Sequence, residues 1–308
     1  IYMAIRRGPL APPEAGTEVF ATDHRGSSAA TAAGTSYYSG FPVDMTFGRN
    51  RTYAGGNTSV YDRLRGDKNL FTDLTNAEGT ASYYLDSNTG FWGSTQSENT
   101  AQSAWMWKRA PGYFDVVAYT GNGTAAQTIG HNLGVAPEMM WVKSRSLAND
   151  WVVYHSGVAV DAETDYLKLN TTSAKADWVG AWNDTAPTSS SFTVGSTPNT
   201  NSATYIAYLF ATLAGVSKVG SVTHSGTTNV DCGFSAGARF VLLKRTDATG
   251  DWYYWDSVRG IVSGNDPYLL LNSTAAEVTS TDYIDPLSSG FTITSTFTAG
   301  DYIFYAIA

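Results

Sequence analysis

Acidic side chains that recur at matched places are the first residues to test for chemistry. Asp62 and Asp256 each lie three residues before an arginine, Arg65 and Arg259, and Glu78 and Glu277 recur further along. Two carboxylates about 5–10 Å apart in one groove would suit glycoside hydrolysis. The pattern breaks in the middle of the chain, where His155 takes the aspartate position, Val158 takes the arginine position and no glutamate matches. A local Asp–Arg ion pair at a strand exit explains the spacing, so these acids are read as structural. The four histidines, His24, His131, His155 and His224, share no position common to all repeats and read as surface or turn residues.

Other chemistries leave little trace. No Gly-x-Ser-x-Gly stands between a strand and a helix, no Asp-x-Asp-x-Asp-Gly loop or His-x-x-x-His pair occurs, and no glycine-rich stretch runs into Lys-Ser/Thr. A loop calcium at Asn149-Asp150 or Asn265-Asp266 is the metal reading that stays open. The expectation is no enzyme activity, no cofactor and no metal. Cys232 is the single cysteine, so an intrachain disulfide and a cysteine zinc site are impossible, and it reads as a small buried hydrophobe. Asn-x-Ser/Thr triplets at Asn57, Asn122, Asn170, Asn183 and Asn272 read as turn chemistry.

The aromatic residues are the remaining candidates. Trp151, Tyr154, Trp252, Tyr253, Tyr254 and Trp255 concentrate on one kind of strand. A run such as Trp252-Tyr253-Tyr254-Trp255 sends alternate rings to opposite faces. One face is core, and the other meets a neighbouring copy, another subunit or a glycan. Packing is the leading reading and glycan stacking the alternative.

The elements that must position these residues come as a repeat. Closing strands recur about every hundred residues, at Tyr2–Arg6, Trp105–Arg109, Tyr205–Leu209 and Tyr302–Ala306. Between them the same landmarks follow in order. A Gly/Pro corner leads to an apolar strand ending in basic residues, at Arg49 and Arg51, Lys143 and Arg145, and Lys244 and Arg245. An aromatic strand follows, then a leucine strand, then a short strand opening with Phe91, Phe192 or Phe291. Period-two alternation, as in Phe291-Thr292-Ile293-Thr294, and turn signals such as Gly121-Asn122-Gly123 argue for strands. Thr75–Glu78 and Thr274–Glu277 each fit a capping box and predict a single helical turn.

The expected fold is all-β, with three tandem antiparallel β-sandwich (jelly-roll-like) modules over residues 9–111, 112–213 and 214–308. Residues 1–8 would be the closing strand of a preceding module, in a piece of a longer polypeptide. The short links Ala110-Pro111-Gly112 and Leu213-Ala214-Gly215 favour a stiff rod or a compact pseudo-threefold cluster.

Composition narrows the partners. Hydrophobic residues make up 43% of the 308 and charged ones 15%, too apolar for a disordered chain. With a formal net charge of −8 and no basic stripe, nucleic acid and anionic membrane surfaces are poor partners. No apolar run approaches the roughly 18 residues of a membrane-spanning helix.

The series Gly40-Phe41-Pro42, Tyr61-Asp62-Arg63-Leu64-Arg65-Gly66, Asn76-Ala77-Glu78, Gly90-Phe91 and Trp105-Met106-Trp107-Lys108 resembles tandem modules of tail-fibre-like and other virion structural proteins of marine and environmental tailed phages. Gln127–Pro137 in the second copy is similar to a segment of such proteins, while Asp231–Phe234 departs from it in the third. The resemblance implies a non-enzymatic virion component, a tail fibre, appendage or surface protein, with homo-oligomer and other virion proteins as partners and loops available to the host. The alternative is an array of carbohydrate-binding modules recognising cell-surface glycans.

Overall fold

The structure, a computed structural model, describes residues 11–93 and 97–308. The closing strand expected over residues 1–8 lies outside the described residues. All the sheets are antiparallel, and they fall into three sets with the same order. The first set comprises β1 (Phe20–Arg25), β2 (Tyr37–Tyr38), β3 (Met45–Asn50), β4 (Ser59–Asp62), β5 (Lys68–Phe71), β6 (Gly79–Thr80), β7 (Gly90–Phe91) and β8 (Asn99–Trp107). The second comprises β9 (Phe114–Thr120), β10 (Gln127–Gly130), β11 (Met139–Ser144), β12 (Val152–His155), β13 (Asp165–Lys168), β14 (Ala176–Asp177), β15 (Ser191–Val194) and β16 (Thr204–Phe210). The third comprises β17 (Ser217–His224), β18 (Thr228–Asp231), β19 (Phe240–Arg245), β20 (Trp252–Asp256), β21 (Leu269–Leu270), β22 (Ile284–Leu287), β23 (Gly290–Ile293) and β24 (Gly300–Ile307).

In each set the first strand pairs with the last, the last with the third, the third with the fourth and the fourth with the fifth, making one large sheet. The second strand and the short phenylalanine strand form a small sheet: β2 with β7, β10 with β15, and β18 with β23 and β22. Each module is thus a two-sheet sandwich. The register gives the equivalences used below. Phe47, Trp141 and Leu242 face Trp105, Tyr208 and Tyr305 on the closing strands, and Val60, Val153 and Tyr254 on the fourth.

Only two short α-helices occur among the described residues, α1 (Ser28–Ala33) and α2 (Val179–Trp182). The helical turns expected at Thr75–Glu78 and Thr274–Glu277 do not form. Glu78 and Glu277 pair instead with arginines of a neighbouring module, which holds these loops extended.

The large sheets use both faces. The outer face of each packs on its own small sheet: Tyr61, Phe91, Ala104 and Met106 in the first module, Val241, Leu243, Trp255 and Phe304 in the third. The opposite faces meet in one shared core that draws Phe47, Trp105 and Trp107 from the first module, Trp141, Tyr208 and Phe210 from the second, and Phe240, Tyr254 and Tyr305 from the third. Period-two alternation separates the two roles, so Trp105 and Trp107 look inward to the centre while Met106 between them looks outward. Each large side chain so buried contributes roughly 1.5–3 kcal/mol of transfer free energy.

Both links are tight. Gly112 and Gly215 lie at φ 72° and 74°, a left-handed conformation that costs glycine nothing. The link residues bridge back onto the next strand, Ala110 to Phe114 and Leu213 to Ser217. The first and third modules meet without any link between them. There Gly16 lies against the Ala308 carbonyl so closely that a Cβ would sit 2.0 Å from its oxygen.

Candidate functional site

The six candidate aromatics fall into two groups. Trp151, Trp252 and Tyr254 point to the shared core. Tyr254 packs edge-on against Phe47 and Trp105 of the first module, at ring-centroid distances of 5.4 and 5.0 Å. The Trp151 indole N–H donates to the Phe71 carbonyl at 2.7 Å, and that of Trp252 to the Lys168 carbonyl at 2.9 Å. The other three look into their own sandwich. Tyr154 packs edge-on against Trp182, and Tyr253 stacks with Trp255 among Tyr268, Tyr283 and Phe297. Five of the six are buried and Tyr253 is half-buried. Protein covers the faces of the five buried rings, which leaves the half-buried Tyr253 as the one of the six with part of its surface in solvent.

The basic strand ends are the second feature. Arg49, Lys143 and Lys244 occupy equivalent positions, each buried. Each reaches the loop after the fifth strand of another module, and the direction is the same each time. Lys143 Nζ donates to the Thr75 carbonyl at 3.1 Å, so the second module grips the first. Lys244 Nζ donates to the Thr172 carbonyl at 3.1 Å, so the third grips the second. Arg49 donates to the Ser273 and Ala275 carbonyls at 2.8 and 2.6 Å, so the first grips the third. The three contacts close a ring. Removal from water lowers both lysines from the usual 10.5 to about 8.

Two residues further on, Arg51 pairs with Glu277 at 2.7 Å and Arg145 with Glu78 at 2.9 Å. The third seam has Thr246 in that place, and there the Lys175 backbone N–H donates to the Thr246 carbonyl at 3.2 Å.

The recurring acids join the ring in the opposite sense. Asp62 pairs with Arg65, and the Tyr208 hydroxyl of the second module donates to it at 2.6 Å. Asp256 pairs with Arg259 at 2.5 Å and accepts the Trp105 indole N–H of the first module at 2.8 Å. At the equivalent place His155 Nδ1 accepts from the Gly157 N–H, so Nε2 carries the proton and donates to the Phe304 carbonyl of the third module at 3.2 Å. Burial lowers His155 to about 4 and keeps it neutral. The local Asp–Arg pairs were readable from spacing. Their cross-module donors, 146 and 151 residues away, were not.

Cavities open on the outer faces instead. One of about 330 Å³ in the first module is lined by Ser59, Tyr61, Tyr37 and Tyr53. A groove of about 650 Å³ in the second involves Val152, Tyr166, Lys168 and the exposed Trp178. Among the turns proposed for calcium, Asn149-Asp150 lies at this groove, where Asp150 pairs with Lys168 at 2.7 Å. Asp266 in the other turn is buried, accepts from the Val262 N–H at 2.8 Å, and is raised to about 6 by removal from water. Cys232 is buried, and the same cause raises its thiol to about 12.

Residues 21–308 match the family described as Domain of unknown function (DUF7483). No curated protein matches the chain.

Proposed function

We propose, for a chain that belongs to the DUF7483 domain family, a non-enzymatic structural role: a rigid three-module block of a phage virion, serving as part of a tail fibre, appendage or surface layer. Its mechanism is assembly with further copies and other virion proteins, with loops on the outer faces free for host contact. The observation that supports this reading is the use made of the recurring titratable groups. Asp62, Asp256 and His155, and Lys143, Lys244 and Arg49, are all buried, and each bonds across a seam between modules. Groups a hydrolase would hold in an open groove are here spent on fixing modules to one another. The phage assignment rests on the resemblance of the repeat landmarks.

The experiment is mass spectrometry and electron cryomicroscopy of density-purified particles from cells that express the chain. A fixed copy number per particle, with density for the three-module block, is expected. Recovery of the chain only in the particle-free fraction would overturn the assignment.

A further inference from the structure

The three modules differ at one equivalent spot on the outer face of the large sheet. The register aligns Ser59, Val152 and Tyr253. In the third module the Tyr253 ring fills the space, 5.2 Å from both Tyr268 and Phe297 and 6.1 Å from Tyr283. With Ser59 or Val152 there, the same space is the cavity of the first module and the groove of the second. The third module therefore shows what size of guest the position takes: one six-membered ring with a hydroxyl at its edge.

In the second module the walls are arranged for such a guest. Tyr166, at the Tyr268 position, leaves the vacated space and packs on Trp178, with centroids 5.6 Å apart. Trp178 is 39% exposed. It also lies close to Gly180, where a Cβ would come within 2.5 Å of the indole, so the absent side chain makes room for the ring. The indole is thus held in place while much of it stays in water. Lys168 and Asp150, paired at 2.7 Å, and the Asn149 amide stand in the same groove. Fixed aromatic surface beside ammonium, carboxylate and amide groups matches a pyranose, whose C–H face is apolar and whose rim carries hydroxyls.

We propose that this groove of the second module, between Trp178 and the Asp150–Lys168 pair, binds a neutral hexopyranose unit of a glycan. The inference stands apart from the virion assignment, because it concerns binding by the isolated chain rather than its place in a particle.

The test is binding of the whole chain to an array of neutral gluco-, galacto- and manno-configured oligosaccharides, with saturation-transfer NMR on those that bind. Trp178→Ala removes the platform, and Val152→Tyr installs the ring that the third module uses. Each is expected to weaken binding about two- to tenfold, the loss of one stacking interaction. Trp92→Ala, an exposed tryptophan of the first module, is expected to leave binding unchanged. Trp178→Ala alters a residue that is 39% exposed, outside the buried core, so it keeps the test informative if Val152→Tyr misfolds. Failure of every oligosaccharide to bind, or binding that survives Trp178→Ala, would overturn the proposal.

Discussion

The Arg49 guanidinium donates to the Leu270 carbonyl, 3.3 Å away in the third module, at the place where the other two seams use a tryptophan. Trp151 and Trp252 donate to the equivalent carbonyls of Phe71 and Lys168, but the first module has Thr58 in their position. The seam that lacks an indole is also the one that has arginine instead of lysine. The longer, forked side chain spans both acceptor sites.

Replacing Arg49 by lysine tests this exchange. An ammonium keeps the charge but lacks the two-nitrogen fork that spans the Leu270, Ser273 and Ala275 carbonyls. Loss of one or two charge-assisted bonds is expected to cost about 1.5–3 kcal/mol. It should appear as a lower urea midpoint and as faster amide exchange in the loop after β21.

Asp62→Asn leaves Arg65 buried beside a neutral group and weakens the acceptor for Tyr208. Stability should fall by about 3–5 kcal/mol. A double-mutant cycle with Tyr208→Phe should give a coupling of about 0.5–3 kcal/mol, because the two act across one seam. Additive effects would show that the hydrogen bond between modules carries no energy.

His155 sets an acid limit. Its folded value of about 4 lies below the ordinary 6.5, so the unfolded chain binds a proton first as pH falls. Stability from this residue is complete above pH 6.5 and is lost as pH drops toward 4, by about 3 kcal/mol in all. Asp266, raised to about 6, acts in the opposite sense over an overlapping range. The clean measurement is therefore the difference between wild type and His155→Gln, which should narrow steadily from pH 6.5 to 4.

Lys143 and Lys244 act on the alkaline side. Between pH 8 and 10.5 the unfolded chain keeps protons that the folded chain has released, so stability should rise with pH through that window. The gain is about 3 kcal/mol per lysine, the same size as the His155 effect because the shift is equal. Buried tyrosines such as Tyr254, raised above their usual range, reverse the trend at higher pH. In Lys143→Gln/Lys244→Gln, chemical denaturation should show no such rise.

The shared aromatic core predicts cooperative unfolding. Tyr254 of the third module packs on Phe47 and Trp105 of the first, so neither module can open alone without baring large rings. Calorimetry should show one transition, matched by tryptophan fluorescence. Three separable transitions would mean that the modules are independent beads.

The strands and the repeat could be read in the sequence because alternation and turn residues are local signals. Trp252–Trp255 had to divide its rings between two faces, and it does. Which face would meet another module depended on how three sheets pack, which no local pattern encodes. The same limit hid the donors to Asp62 and Asp256, and it made Thr75–Glu78 look like a helix start when the glutamate is held by Arg145. Trp178 carries no repeat signal, because it lies outside the repeated landmarks, on a loop of the second module. Aligning Val152 with Tyr253 would have flagged a missing ring there. The capping of that gap by Trp178 needed coordinates.

The abutment of Gly16 on Ala308 closes the ring at the one seam that no peptide crosses among the described residues. Two seams are spanned by peptide, and the third is held by side-chain and backbone contacts of the same kind without it. The architecture is that of a trimer of like units written as one polypeptide.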